Sequence, residues 1–358
     1  MNRIIVLFLS ISLLSGGVSC AEEPKSGEEG VIVPGAGSEN IDNSLISDNA
    51  VMSGKVDLWR KGNIPTLTKS ANNSDGPDFI PNLEVFTVPE SINPKGAVMI
   101  CPGGAFMFRS MQNEGYDIAD MLTSMGYQCF VVNYRINPYT MQESATDLQR
   151  GIRYVRSHAD EYRINPRNIA LVGFSAGGIL NGEVLLNWRD LKNGSALDNT
   201  YSPDELDKVP VSACAVGMIY AFYGRLSVSM NNVETLRNAD LPPAFYCWGT
   251  RDGFAGQFTQ NANAVELAGC RVERKILQNY PHGYGTGGSH SIWGNDFDSF
   301  LMSIMSVNSS VTDIKSDLPN NTLSLVYDLN GRPVNPANAT NGIYIVNDSN
   351  GSKKVLRK

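Results

Sequence analysis

Histidine is scarce in this chain: 358 residues hold three, His158, His282 and His290. Any step that needs an imidazole must draw on one of them. No group of Cys and His has the spacing of metal ligands, so no metal or other cofactor is expected. Cysteine is equally sparing. Beyond Cys20 there are Cys101, Cys129, Cys214, Cys247 and Cys270, an odd number without the dense spacing of a disulfide scaffold. The first four of these five lie in apolar runs and read as buried free thiols. Positive charge is in deficit, with 29 Lys and Arg against 36 Asp and Glu and a net charge of −7. No basic field therefore draws the chain to nucleic acid or anionic lipid. Long apolar runs and internal repeats are missing too, and no membrane span is expected.

The nearest approach to a long apolar run is at the start. Arg3 precedes Ile4 to Leu14, followed by the small residues Ser15 to Ala21. The run falls short of the ~20 apolar residues that cross a bilayer, and reads as an export signal over residues 1–21. Cleavage after Ala21 has Ser19 two positions before it. The alternative is a lipid anchor at Cys20, against which Gly17 stands where such signals usually carry Leu. Either way the protein leaves the cytoplasm. Residues 22–50 are acidic, rich in Gly and Ser and free of aromatics. They are expected to form a flexible leader, having too little apolar area to offset ordering.

Order is expected from about Val56-Asp57-Leu58-Trp59. Leu83 to Val88 alternates and reads as an outer strand. Short apolar runs at Ala97–Cys101, Cys129–Val132, Ile169–Val172, Ala213–Ile219 and Ala244–Trp248 predict further strands, and Val272–Leu277 supplies a later one. Between them, helical periodicity is expected over Asn113–Ser124, Ser144–Tyr162, Ala176–Leu191 and Thr259–Ala268. This alternation implies an α/β domain over residues 51–305, a mostly parallel sheet covered by helices on both faces. From Ser306 to Lys358 the texture changes to Asn, Ser and Asp. Two β-like runs, Leu323–Tyr327 and Ile343–Val346, lie beside the hairpin signals Asn330-Gly331 and Asn350-Gly351, predicting a small C-terminal β module.

Chemistry is concentrated in Gly173-Phe174-Ser175-Ala176-Gly177-Gly178, between an apolar strand and a helix. A serine on that sharp turn exposes its hydroxyl above the sheet, and the glycines avoid collision with neighbouring elements. Such a serine needs a base. His282, in Tyr280-Pro281-His282-Gly283, follows the last predicted strand, where this chain order places it. His158 lies in a predicted helix ahead of the serine, and His290 follows Gly287-Gly288-Ser289 and reads as the start of the last helix. For the acid that holds the imidazole, Asp252 follows the strand ending at Trp248, whereas Asp240 precedes it. Pro102-Gly103-Gly104-Ala105 follows an early strand and can present backbone N–H groups of Gly104 or Ala105 opposite that of Ala176, an oxyanion hole. Strand, elbow and chain order together predict the α/β-hydrolase fold.

The blocks Cys101-Pro102-Gly103-Gly104-Ala105-Phe106, Val132-Asn133-Tyr134-Arg135 and Ile152 to Arg156, with the elbow itself, resemble the BD-FAE-like carboxylesterases. Leu58-Trp59, Asp252 and His282 extend the resemblance over about Val56 to Met305. It departs at Ala105, where the family usually has a third Gly, and at Ile179, where it often has His. The resemblance implies an acylated carbohydrate as partner, with acetyl or feruloyl esters of xylan as substrate class. Serine peptidases related to prolyl oligopeptidase share the triad, but usually carry a substrate-gating domain for which this chain has no room. A non-catalytic binding module would be expected to lack a triad member. Val326-Tyr327-Asp328-Leu329-Asn330-Gly331-Arg332 and Gly342 to Val346 resemble the C-terminal sorting tails of type IX secretion. That resemblance implies export machinery as a partner and a secreted, periplasmic or cell-surface place in a Gram-negative bacterium.

Overall fold

The computed structural model describes residues 51–309 apart from 70–73, 77, 190–191 and 290–291, and the backbone of five C-terminal strands. The expected export signal, Cys20, the expected leader, His290 and the residues between the C-terminal strands lie outside the described residues.

Eight strands form one sheet: β1 (Val51–Asp57), β2 (Asn82–Thr87), β3 (Gly96–Cys101), β4 (Tyr127–Asn133), β5 (Ile169–Phe174), β6 (Val216–Ile219), β9 (Ala244–Gly249) and β10 (Val272–Leu277). Their spatial order is β1-β2-β4-β3-β5-β6-β9-β10. The pairs β1-β2 and β2-β4 are antiparallel, and the pairs from β4-β3 through to β9-β10 are parallel. The intervening β7 (Gly224–Arg225) and β8 (Val228–Ser229) form a separate two-stranded ribbon. Strands β3, β5 and β9 are buried along their whole length, which is why they read as apolar runs with no alternation.

Helices cover both faces, as the alternating pattern predicts. These are α1 (Asp117–Ser124), entered through a π turn at Gln112–Tyr116, α2 (Met141–Ser157), α3 (Ala176–Asn187), α4 (Val233–Asn238), α5 (Ala255–Leu267) and α6 (Gly294–Ser309). Residues of β3 show the two faces by alternation. Met99 abuts Gly151 of α2, and Gly96 abuts Met305 of α6. On the α6 side, the rings of Phe297 and Phe300 pack on Phe245 of β9.

Four sequence expectations shift. Leu83–Val88 is not the outermost strand, because β1 pairs outside it. That edge strand carries a register shift between Met52 and Gly54, and its mixed composition hides it from a search for apolar runs. Helix α2 starts three residues earlier than the periodicity suggests. Thr140 accepts from the Glu143 N–H while Glu143 reaches back to the Thr140 N–H, a reciprocal cap. The ribbon β7–β8 and α4 are too short to leave a periodic signature. Helix α6 continues past Met305, which is itself buried.

The C-terminal backbone strands are β11 (Thr312–Asp313), β12 (Leu325–Tyr327), β13 (Pro333–Val334), β14 (Gly342–Asp348) and β15 (Gly351–Arg357). They form a second sheet in the order β11-β15-β14-β12-β13. Strands β14 and β15 make an antiparallel hairpin closing with Asp348 opposite Gly351. Asn350 lies outside the described residues, and among the described residues the module has five strands rather than two.

A buried polar network ties the segment after β1 to the sheet. Arg135 donates through Nε and Nη2 to Asp147, each at 2.8 Å, and through Nη1 to the Pro65 carbonyl. Trp59 Nε1 donates to the same Asp147 at 2.8 Å. Glu143 accepts from the hydroxyls of Thr66 and Thr68 and from the N–H groups of Leu67, Thr68 and Thr140. Burial pushes the Glu143 carboxyl up, but these donors outweigh it and bring it from its ordinary 4.5 to about 2.

Glu143→Ala leaves those donors without an acceptor and should cost about 3 kcal/mol at pH 7. That corresponds to a melting point lower by about 6–12 °C. A depressed carboxyl stabilises the fold above its unfolded pKa and loses that effect as pH falls toward its folded value. Calorimetry should therefore show the gap between wild type and variant closing between pH 5 and pH 2, about the interval between those values. A gap of constant size across that range would remove the carboxylate's assigned role.

Candidate active site

Ser175 stands between β5 and α3 with φ 50° and ψ −117°. A β-carbon in that left-handed region is strained, and such strain persists only where the surroundings hold it. Here its N–H donates to the Ile219 carbonyl at 3.0 Å. Three neighbouring glycines remove the obstacles. An added β-carbon on Gly177 would stand 1.9 Å from the Cys101 carbonyl oxygen, one on Gly178 2.3 Å from the Ala221 β-carbon, and one on Gly173 2.5 Å from the Gly177 oxygen. The helix can thus start directly above the ends of β3 and β6.

The structure brings the three predicted side chains together. His282 Nε2 lies 2.8 Å from Ser175 Oγ, and His282 Nδ1 lies 2.6 Å from Asp252 Oδ2. Asp252 follows β9 and its side chain is fully buried, whereas His282 keeps about a third of its side chain exposed, at 37%. The second Asp252 oxygen accepts from the Phe254 N–H at 2.9 Å. Acid and imidazole approach because their segments are stitched together. Thr250 N–H donates to the Leu277 carbonyl and Arg251 N–H to the Tyr280 carbonyl. Gly249 permits this contact, since a β-carbon there would meet the Tyr280 oxygen at 2.0 Å. The imidazole is seated against Tyr220, with ring centroids 4.9 Å apart, and against the edge of Phe254 at 5.9 Å.

The other candidates lie elsewhere. His158 caps α2, its Nδ1 is 2.8 Å from the Tyr154 carbonyl, and its ring stacks on Tyr154. Asp240 has a side chain 97% exposed, facing Arg189.

The Pro102–Ala105 segment crosses the elbow at close range. A β-carbon on Gly103 would be 2.6 Å from the Phe174 oxygen and 3.1 Å from the Ser175 β-carbon. Gly104, Ala105 and Phe106 all have positive φ, at 128°, 53° and 57°. Met107 and Phe108 N–H groups return to the Gly104 carbonyl, closing a tight turn. Ala105 takes a left-handed conformation where a third Gly would be unstrained. Among the described residues, the N–H groups of Gly104, Ala105 and Ala176 donate to no protein acceptor, which leaves them available at the elbow.

Two neighbours escaped the sequence reading. Glu114 is buried beneath the Gly103 turn, and Tyr220 lies beside His282. Glu114 had a signal, since it occupies the stripe that continues through Ile118 and Met121, where an apolar residue is expected. Tyr220 had none in a single sequence. Cys101, Cys129 and Cys247 are buried free thiols, while Cys214 and Cys270 are half-buried. Burial pushes the Cys247 thiol up to about 12, although the Tyr284 hydroxyl donates to its sulfur, so it is inert as a nucleophile. Among the described residues, no three His, Cys, Asp or Glu side chains are grouped to hold a metal ion, and no helix is long and apolar enough to cross a membrane.

The crowding at Gly177 gives a direct test of the elbow. Gly177→Ala should cost more than about 3 kcal/mol, because the obstacle is backbone and cannot rotate away. Gly256→Ala, in the exposed face of α5 with nothing within 4 Å of an added β-carbon, should stabilise by about 0.5–1 kcal/mol. Urea denaturation of both variants decides it, and equal effects would show that the elbow is not the tight point.

Residues 83–239 match the BD-FAE family model. A stretch of 93 residues is 39% identical to an acetylxylan esterase of Xylanibacter ruminicola, covering 26% of this chain and 19% of that protein. Over 122 residues the chain is 26% identical to endo-1,4-beta-xylanase B of Butyrivibrio fibrisolvens, covering 33% of this chain and 19% of the relative. The chain thus spans about a fifth of the length of each of these relatives. Among solved structures, an acetyl ester-xyloside bifunctional hydrolase from Caldicellulosiruptor lactoaceticus superposes with a TM-score of 0.55 at 22% identity, covering 72% of this chain and 96% of that one. An α/β hydrolase from a deep-sea metagenome superposes at 0.52 and 17% identity, covering 73% and 100%. Residues 83–239, from β2 to α4, thus match the BD-FAE family, and the sheet has the architecture of the α/β-hydrolase fold.

Proposed function

We propose that the protein is a serine carboxylesterase that removes small acyl groups, acetyl foremost, from xylan-like polysaccharide or its fragments. The observation that carries this reading is the hydrogen-bonded line from Ser175 Oγ through His282 to Asp252, at 2.8 and 2.6 Å. The names of the acetylxylan esterase and xylanase relatives support the substrate class.

Ser175 Oγ attacks the ester carbonyl while His282 Nε2 takes its proton. Asp252 accepts from Nδ1–H, which fixes the tautomer and stabilises the imidazolium as it forms. The carbonyl oxygen becomes an oxyanion and receives the N–H groups of Ala176 and of Gly104 or Ala105. The tetrahedral adduct then collapses, the bond to the sugar oxygen breaks, and His282 returns the proton to that oxygen. Water, deprotonated by His282, attacks the acyl-serine, and collapse releases the carboxylic acid and Ser175. Each step moves one proton between Ser175, His282, the leaving oxygen and water.

The small acyl group is favoured by the compact connection between Tyr223 and Pro242. It folds as the β7–β8 ribbon and α4, and is pinned back on α5 where Ser229 N–H donates to Gln257 Oε1. This leaves little chain for a deep aromatic pocket. The N-terminal signal and the C-terminal β module support a place outside the cytoplasm, with the module acting as a sorting address.

Ser175→Ala and His282→Ala should each lower kcat by about 10⁶, and Asp252→Asn by about 10⁴. Near-normal ester hydrolysis by folded Ser175→Ala would end the proposal. On matched substrates, acetylated xylan should be cleaved faster than methyl ferulate, and the reverse order would displace acetyl as the preferred group. Ending the chain after Ser309, at the end of α6, should preserve activity and melting point while holding the protein in the periplasm of a host with type IX secretion. Loss of activity on that truncation would make the module part of the hydrolase core.

A further inference from the structure

A second carboxylate lies near the site, besides the Asp252 that the chain order suggests. Glu114 lies in the π turn ahead of α1 and is 5% exposed. Its Oε2 accepts the Gly103 N–H at 2.8 Å, and its Oε1 accepts the Tyr220 hydroxyl at 2.6 Å. The Tyr220 oxygen in turn accepts the Gly285 N–H at 3.2 Å. Gly103, Tyr220 and Gly285 belong to the segments that follow β3, β6 and β10. The first leads into Gly104 and Ala105, the second supplies the ring against His282, and the third closes the turn that carries His282. One side chain thus links three loops whose relative placement decides whether donors, nucleophile and base meet.

Such a carboxylate is costly to keep. Burial raises it above the usual carboxylate range, opposed by the hydrogen bonds from Tyr220 and Gly103 and by the nearby His282. An apolar residue at this position of the stripe would avoid that cost. It would also leave the Gly103 N–H and the Tyr220 hydroxyl buried without these partners. We infer that Glu114 is a positioning residue of the hydrolytic site, its carboxylate setting the Gly103–Ala105 turn and, through Tyr220, the seat of His282. The inference rests on the assignment of Ser175 as nucleophile proposed above. Glu114 forms no bond to substrate and exchanges no proton in the cycle. Its contribution is the alignment of groups that do, where displacements well below 1 Å matter.

Three full-length variants test it: Glu114→Ala, Glu114→Gln and Tyr220→Phe. Glutamine can rescue, because its amide oxygen accepts from Gly103 while its NH₂ donates to the Tyr220 oxygen. The readouts are kcat and KM on p-nitrophenyl acetate, melting temperature, and the rate at which a fluorophosphonate labels Ser175. In the labelling step the Ser175 oxygen–phosphorus bond forms, fluoride leaves with the phosphorus–fluorine electron pair, and His282 takes the serine proton. It therefore needs the same donors and base without a cognate ester. Glu114→Ala should lower kcat by about 10²–10³, the scale of a lost oxyanion donor, and slow labelling similarly. KM should stay within about threefold, the pattern of an interaction made mainly in the transition state. Glu114→Gln should recover to within about tenfold of wild type, and Tyr220→Phe should fall between the two.

A purely structural role would lower the melting temperature while leaving labelling per folded molecule at the wild-type rate, and that result overturns the inference. So does Glu114→Gln as impaired as Glu114→Ala, which would make charge rather than placement the contribution. Should Glu114→Ala not fold, Tyr220→Phe decides, since wild-type labelling and kcat there would show that the link to the His282 loop is idle. Wild type that labels at Ser175 but hydrolyses no ester removes the esterase proposal, while the labelling comparison still judges Glu114. Wild type that does not label at Ser175 removes both.

Discussion

Much of this molecule depends on how closely backbone can approach backbone at the carboxyl ends of β3, β5 and β6. The serine turn sits almost on the Cys101–Gly103 segment, and an added β-carbon on Gly177 would overlap the Cys101 carbonyl at 1.9 Å. That closeness comes from parallel strands at adjacent positions in the sheet, whose connections must leave over the same edge. It brings the N–H groups of Gly104, Ala105 and Ala176 to the neighbourhood of one hydroxyl. The same principle repeats between β9 and β10, where Gly249 lets the Asp252 segment lie against the Tyr280–His282 segment. Glycine is needed at these points for the space it leaves, and only Gly104 among them also needs its freedom of φ.

Charge in the interior is arranged on a second pattern. Glu143, Asp147, Glu114 and Asp252 are buried carboxylates, and each is surrounded by donors from different segments. Glu143 and Asp147 fasten the chain after β1 to the start of α2 and the end of β4. Asp252 holds an imidazole, and Glu114 holds two loops directly and a third through Tyr220. Taking a charge out of water is unfavourable unless the donors are fixed in place. A network of this kind therefore works as a fastening only once the fold has assembled. The depressed Glu143 carboxyl and the raised Glu114 carboxyl mark the two limits. Around Glu143 the donors outweigh burial, and around Glu114 burial outweighs two donors.

The legible parts of the sequence were those in which one local segment carries its own signal. Strands β3, β4, β5, β6 and β9 announce themselves as short apolar runs because burial on both faces leaves no room for alternation. The elbow does so through its glycines, and His282 through being one of three candidates. Edge strand β1, ribbon β7–β8 and helix α4 were not legible, because half-exposed or very short elements carry little periodic pattern. Of the residues around the site, Glu114 left a trace as a carboxylate on an apolar stripe, while Tyr220 looked like any aromatic after a strand.

Local segments alone carry the class of fold and the identity of Ser175, Asp252 and His282 as the groups that meet. Those follow from local rules of burial, turn geometry and strand-end placement. Only the tertiary structure decided that Glu114 faces Gly103 and Tyr220 at once, that Tyr220 backs His282, and that Asp240 points to solvent. Residues 106 positions apart become hydrogen-bonding partners because the sheet order places the end of β6 beside that of β5, with β3 on its other side. That order is a property of packing the whole chain and is written in no one segment of it.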